Sequence, residues 1–111
     1  MIRILLFAAY TWLAATISLT PSPGGGLPLW DKSMHATFYA IYVLLGSQLV
    51  STPRQFYLVS MAIFAYSGLM EIGQHFVPGR SMSALDLLAN GLGVGLGMLL
   101  SIQALPELRK A

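Results

Sequence analysis

The sequence predicts an all-α, polytopic membrane protein, a compact bundle of four transmembrane helices that forms one domain over residues 1–111. Hydrophobic residues make up 56% of the chain and charged residues only 9%, whereas a soluble domain usually carries about 25% charged residues. A soluble domain of 111 residues has too little interior to bury so much apolar surface. The apolar residues also fall into four stretches of nearly membrane-spanning length, separated by short segments that contain proline or glycine.

Proline follows the end of each apolar stretch. Because proline cannot continue a helix, it sets the C-terminal limit of each span. The longest connector, PSPGGGLPLW, is rich in glycine and proline and predicts a loop. A cleaved signal peptide is the alternative for the first stretch, but no A-x-A cleavage pattern follows it. The predicted spans cover residues 4–19, 33–50, 55–77 and 83–105.

The basic residues predict the orientation in the membrane. If the spans alternate in direction, four of the six basic residues lie on one side and two on the other. Basic residues are enriched in cytoplasmic loops, so both termini are predicted to lie in the cytoplasm. The cytoplasmic side would hold Arg3, Arg54, Arg109 and Lys110, and the outer side would hold Lys32 and Arg80.

Composition also argues against several classes of function. The net charge of +2 is small and the basic residues are scattered, which is not the pattern of a nucleic-acid-binding protein. The chain has no cysteine, so disulfides, thiolate nucleophiles and cysteine-type metal sites are excluded. We expect no cofactor and no bound metal.

Polar residues lie at matching depths on three of the predicted helices. His35 is close to the start of the second span. Glu71 and Gln74 share a face near the end of the third span, and Asp86 and Asn90 share a face near the start of the fourth. With alternating spans, these three helix ends reach the same outer leaflet.

We expect these polar groups to form one hydrogen-bonded cluster near the outer interface. A charge inside the bilayer costs about 2.5–3.5 kcal/mol even on insertion scales, so it is normally paired or functional. Unpaired polar groups in lipid are also costly. The predicted members of the cluster are His35, Glu71, Gln74, Arg80, Asp86 and Asn90.

Several neighbouring residues fit structural roles. Ser83 and Asp86 fit a capping box at the start of the fourth helix, and Asp31 fits the N-cap of the second. Pro78 and Gly79 predict a tight turn.

Glycines on the fourth helix fit small-xxx-small helix packing, in which two backbones approach closely. Two such pairs are present, Gly91 with Gly95 and Gly93 with Gly97.

Two segments, DKSMHATFYAIYVLLG and EIGQHFVPGRSMSALDLLANGLGVGLG, resemble the VanZ-like family of small bacterial membrane proteins. The shared pattern is Asp-Lys-x-x-His, then Glu-x-x-Gln, Pro-Gly-Arg and Asp-x-x-x-Asn before a glycine-rich helix. The resemblance covers residues 31–97, and His75 lies outside its pattern. The matching residues are Asp31, Lys32, His35, Glu71, Gln74, Pro78, Gly79, Arg80, Asp86, Asn90 and Gly93.

The resemblance implies a multi-pass protein of the bacterial cytoplasmic membrane with a polar site. It implies a link to resistance to teicoplanin, a glycopeptide antibiotic, only loosely. It assigns no reaction to the site.

The first functional hypothesis is a binding site for an anionic membrane lipid or for the headgroup of a lipid-linked cell-wall precursor. Arg80 would hold a phosphate through its planar fork, and Lys32 would add a point charge. The N-terminal end of the fourth helix would add a partial positive charge. The remaining predicted ligand-binding residues are His35, Glu71, Gln74, Asp86 and Asn90.

Three alternatives remain open. One is a membrane-embedded phosphoester hydrolase or transferase, in which His35 acts as general base beside Glu71 or Asp86. A metal variant of this enzyme would use His35, His75, Glu71 and Asp86, although no compact metal motif is present. The last is a structural or partner protein in which a buried Glu71–Arg80 pair fixes helix register.

Overall fold

The computed structural model describes residues 1–19, 32–77 and 84–109. These ranges are helical and contain no strand, which confirms the all-α class. The elements are α1 (Ile2–Leu19), α2 (Lys32–Ser47), α3 (Pro53–Gln74), α4 (Ala84–Ala104) and a terminal 3₁₀ helix (Pro106–Arg109).

All but one of the eight helix boundaries differ from the predicted spans by one to three residues, α3 for example ending at Gln74 and not at residue 77. Two of the differences have a clear local reason. Helix α2 ends at Ser47 because the amides of Gln48 and Leu49 turn back to carbonyls three residues earlier and close the last turn. Helix α3 begins at Pro53, since the Thr52 side chain caps it by accepting a hydrogen bond from the Gln55 amide at 3.2 Å. Proline at the first helical position is compatible with this cap.

Two of the four helices are long and apolar enough to cross a membrane. They are α3, with 22 residues, and α4, with 21, each about 30 Å long at about 1.5 Å per residue. The apolar stretches of α1 and α2 are shorter in the described residues, Ile2–Ile17 and Met34–Ser47. The prediction of four membrane-length helices is therefore correct for two helices and not for four.

The bundle has an apolar outside and a partly polar inside. Large hydrophobic side chains such as Trp12, Leu58 and Leu92 are more than half exposed, while the buried faces of α3 and α4 carry serine, glutamate, glutamine and asparagine. A soluble protein shows the opposite distribution. The fully buried Ser60 and Ser101 have no hydrogen-bond partner among the described residues.

Helices α2 and α4 form the most extensive contact of the bundle. A Cβ atom added at Gly93 would lie 2.8 Å from the Cα of Ala36, and one at Gly97 would lie 2.8 Å from the Cβ of Val43. Both glycines are therefore required by close approach to α2. The second predicted pair does not pack in this way, because Gly91 faces a ring edge of Phe64 and Gly95 has no described atom within 4 Å.

Hydroxyl groups join α1 to α2 and α3. The Tyr42 hydroxyl lies 2.5 Å from Thr11 Oγ1, and the Tyr66 hydroxyl donates to the carbonyl oxygen of Thr11 at 3.0 Å. The Tyr10 hydroxyl donates to the carbonyl oxygen of Phe38 at 2.6 Å, and the two rings stack. These bonds hold the middle of α1 against α2 and α3.

Candidate functional site

One pocket lies where the C-terminal ends of α1 and α3 meet the N-terminal ends of α2 and α4. Its cavity volume is about 30 Å³, room for an ion or a water molecule or two but not for a whole headgroup. Half of its lining is polar or titratable and half is apolar. The lining residues are Ala14, Ile17, Met34, His35, Phe38, Tyr39, Met70, Glu71, Gln74 and Asn90.

The His35 imidazole is the centre of the polar half of the pocket. Its Nδ1 atom lies 3.1 Å from Asn90 Oδ1 and 3.9 Å from Glu71 Oε1. Glu71 and Asn90 are buried, with exposed fractions of 3% and 1%. Two oxygens from two other helices therefore face one ring nitrogen on α2.

Asp86 brings a second carboxylate to the same place. One ligand atom from each of His35, Glu71 and Asp86 can be chosen so that all three lie within 4.8 Å of one another. Asp86 lies in the first turn of α4, one helical turn before Asn90. Its position is thus compatible with both the predicted capping role and a role in the cluster.

His75 lies apart from the cluster. It follows the last residue of α3, is exposed, and its ring packs edge-on against Phe76. The metal alternative that included His75 therefore loses one of its four ligands.

Two more polar side chains line the pocket, Gln74 and Tyr39. Each residue has an exposed fraction of only 5% and lines the pocket. A ligand or water molecule that enters the pocket would be within reach of their polar groups.

Tyr39 was not among the predicted site residues. The available signal was its position four residues after His35, which places both on one face of α2. The apolar half of the pocket was not predicted either. It consists of residues from three helices, and their convergence depends on how each helix is rotated.

Part of the predicted site lies outside the described residues. This applies to the side chain of Lys32 and to five other predicted residues. Those five are Asp31, Pro78, Gly79, Arg80 and Ser83.

The geometry fits an amphiphilic ligand. Polar groups on α2, α3 and α4 would bind a headgroup, while the apolar wall from α1, α2 and α3 would contact hydrocarbon. The His35 Nδ1 atom is within hydrogen-bond distance of Asn90 Oδ1, and the Glu71 carboxylate lies 3.9 Å from it, beyond direct hydrogen-bond distance.

Comparison with known proteins identifies a family. The family model described as VanZ/LLP1 matches residues 4–105, nearly the whole chain. No curated protein and no solved structure matches the chain.

Proposed function

Because the chain belongs to the VanZ/LLP1 family, as its motifs predicted, we propose that it is a multi-pass protein of the bacterial cytoplasmic membrane that binds a phosphate-bearing lipid headgroup. The site is the pocket around His35, at the outer end of the bundle. The whole chain of 111 residues acts as one domain, with both termini in the cytoplasm.

The membrane location is supported by the reversed distribution of polar and apolar residues. Exposed leucines cover α4, α3 exposes Leu58 and Leu69, and α1 exposes Trp12 and Leu13. In water this surface would be an aggregation liability, whereas lipid covers it without cost. The shorter helices α1 and α2 pack against two membrane-length helices, so we propose that they are inserted as well.

The proposed orientation is supported by basic residues at the end of the bundle opposite the pocket. There Arg3 Nη1 lies 3.5 Å from the carbonyl oxygen of Gln48, and Arg54 follows in the first turn of α3. Basic residues at this end fit a cytoplasmic face. Cysteine substitutions are informative because the chain has no native cysteine. A membrane-impermeant thiol reagent added to intact cells should label Gly25→Cys and not Ser51→Cys, and the reverse would contradict the proposed orientation.

The observation that carries the binding proposal is that polar side chains from α2, α3 and α4 line one pocket together with an apolar wall. The polar side suits hydrogen bonds to a headgroup, and the apolar side suits contact with hydrocarbon. The pocket admits only a few atoms, so the ligating atoms enter it while the rest of the headgroup remains at its mouth.

The sequence supports phosphate as the ligating group. Arg80 and Lys32 are the two basic residues predicted at this end of the bundle, and an arginine fork matches a phosphate in two hydrogen bonds. In this proposal Glu71 and Asp86 orient Arg80, while His35, Gln74 and Asn90 donate or relay hydrogen bonds to the headgroup.

Lipid retention in detergent tests the proposal. Gln74→Leu keeps the side-chain volume nearly unchanged and removes the amide from the pocket. If the pocket binds a headgroup, native mass spectrometry should show less co-purified lipid, with thermal stability unchanged or higher. Gln103→Leu, on the exposed face of α4, is the matched control and should retain lipid. Equal lipid retention in both variants would contradict headgroup binding and favour a structural cluster.

A second candidate function is favoured by the 3.9 Å separation between His35 Nδ1 and Glu71 Oε1. This pair fits a general base and its orienting group in a membrane-embedded phosphoester hydrolase or transferase. Release of phosphate from a lipid phosphoester by wild-type protein, and its loss in His35→Gln, would establish it. Wild-type protein without turnover would leave binding as the function. The loose link to teicoplanin resistance is tested separately, by the susceptibility of a strain that lacks the gene.

A further inference from the structure

We infer that the end of the headgroup that enters the pocket carries hydroxyl groups, so that the ligand is a phospholipid whose headgroup ends in glycerol or a sugar. The inference rests on the proposed function and deepens it, because it leaves the phosphate at the mouth of the pocket and assigns the interior to another part of the same ligand. It follows from the size of the cavity, from the polar groups in its lining and from the charge of those groups.

The cavity matches one or two hydroxyl groups in size. Its volume is about 30 Å³, and a cavity needs at least about 10–15 Å³ on this measure to hold one water molecule. A hydroxyl group takes about the space of one water molecule. The phosphate of a diester lies between carbon chains, and a terminal phosphate carries several oxygens around its phosphorus. Neither of these fits inside the cavity.

The polar lining offers both donors and acceptors of hydrogen bonds. The ionised carboxylate of Glu71 only accepts, whereas the amides of Gln74 and Asn90 and the hydroxyl of Tyr39 donate and accept. In the neutral imidazole of His35 one nitrogen donates and the other accepts. A hydroxyl group of a ligand also donates and accepts. It can therefore use the whole polar lining, whereas a phosphate oxygen only accepts and an ammonium group only donates.

The charges around the pocket favour a neutral group inside it. Glu71 is 3% exposed, and both Glu71 and Asp86 already have interaction partners, so they do not require a further cation. An anionic phosphate close to a buried carboxylate would be repelled. A hydroxyl group adds no charge and donates a charge-assisted hydrogen bond to Glu71. A carboxylate accepts at about four lone-pair sites, so an existing partner leaves capacity for this bond.

The apolar part of the lining fits the carbon atoms of such a headgroup. Every hydroxyl of glycerol or of a sugar is attached to a carbon that also carries C–H groups. Ile17, Met34, Phe38 and Met70 line the same pocket as the polar side chains. An alcohol can therefore contact the polar and the apolar lining at once.

The test compares two lipids that differ only in the hydroxyl groups of the headgroup. Delipidated wild-type protein in a maltoside detergent is mixed with equal amounts of dioleoyl phosphatidylglycerol and dioleoyl phosphatidylpropanol, which have the same charge and the same chains. Native mass spectrometry should show phosphatidylglycerol retained about tenfold or more over phosphatidylpropanol, because the alkyl headgroup leaves the polar lining without its partners. Phosphatidylinositol in place of phosphatidylglycerol distinguishes a ring of hydroxyl groups from glycerol, and an excess of either lipid over phosphatidylpropanol supports the inference.

A pair of variants ties the preference to the pocket. Gln74→Leu removes an amide of the lining and should bring the ratio of the two lipids close to one. Gln103→Leu, on the exposed face of α4, should keep the wild-type ratio. Size-exclusion chromatography checks that both variants are folded, and the wild-type ratio does not depend on either of them.

Equal retention of phosphatidylglycerol and phosphatidylpropanol by the wild-type protein, with both ahead of dioleoylglycerol, would overturn hydroxyl recognition and leave the headgroup proposal intact. A preference for dioleoyl phosphatidylethanolamine or for dioleoyl phosphatidic acid would overturn it in the same way, since these headgroups end in an amine and in a phosphate. Retention of every phospholipid at the level of dioleoylglycerol, which has no phosphate, would overturn both proposals.

Discussion

His35 on α2 and Asn90 on α4 are 55 positions apart in the chain, yet the imidazole Nδ1 lies 3.1 Å from the amide Oδ1. The contact follows from the close approach of α2 and α4. This approach is possible because residue 93, about one turn after Asn90 on α4, is a glycine and has no side chain to collide with the backbone of Ala36. The packing of α2 on α4 thus places the polar site, and small residues in the contact decide where the imidazole points.

Asn90→Ala should reduce both stability and lipid retention. The substitution removes the hydrogen-bond partner of a part-buried ring nitrogen, and loss of a partner costs up to about 1–3 kcal/mol when the remaining group is buried. Thermal unfolding in detergent and native mass spectrometry measure the two effects. Gln103→Ala, on the exposed face of the same helix, should change neither, and an Asn90→Ala protein as stable as this control would contradict the proposed role of the contact.

Gly93→Ala should destabilise the bundle, because the new methyl group would collide with the backbone of Ala36. Overpacking of this kind costs about 1–3 kcal/mol. Gly95→Ala, with no described atom within 4 Å, should be neutral or slightly stabilising because alanine favours helix. The measurement is the unfolding midpoint of each variant in the same detergent. A larger loss in Gly95→Ala than in Gly93→Ala would show that α4 is rotated differently.

Thr11 and Tyr42 should be energetically coupled through the 2.5 Å contact between their hydroxyl groups. Hydrogen bonds between helices in membranes contribute about 0.6 kcal/mol on average and up to about 1.7 kcal/mol. A double-mutant cycle with Thr11→Val and Tyr42→Phe measures this coupling from unfolding free energies. The parallel cycle with the exposed Tyr57→Phe should give a coupling near zero. A zero coupling in both cycles would mean that the hydroxyl contact does not hold α1 in place.

Arg80→Lys should lower lipid retention while leaving stability near the wild-type value, because lysine keeps the charge and loses the planar fork. Arg80→Ala should lower retention at least as much. If Arg80 serves only to pair with Glu71, a different pattern is expected. Alanine alone should then destabilise the protein, by several kcal/mol for a buried charge left unpaired, and lysine should retain lipid normally. That second pattern would contradict headgroup binding by Arg80.

The sequence allowed the helix ends that carry the polar residues of the site to be predicted, but not the apolar walls of the pocket. Helical spacing places Glu71 with Gln74 and Asp86 with Asn90, and antiparallel helices bring those ends together whatever the details of packing. The rotation of each helix about its axis is not determined by spacing. Both glycine pairs of α4 fit the same motif, for example, and only the one that contains Gly93 faces α2.

The sequence predicted the number of α-helices correctly, but it predicted the lengths of individual helices less well. The predicted second span continues to Val50, but turn hydrogen bonds at Gln48 and Leu49 end α2 at Ser47. Leu49 and Val50 are apolar, so hydropathy alone does not distinguish the last turn of the helix from the turn that follows it.

The distance between the His35 imidazole and a lipid phosphorus is the most direct test of the central claim that this pocket binds a phosphate-bearing headgroup. The protein has two histidines, so ¹⁵N-histidine labelling with a His75→Gln variant assigns the ring signals. Frozen samples in a phosphate-free maltoside detergent contain phosphorus only in retained lipid. We predict that ³¹P irradiation dephases the His35 ring signal and leaves His75 unaffected. Retained lipid with no dephasing at His35, or with dephasing only at His75, would contradict the account.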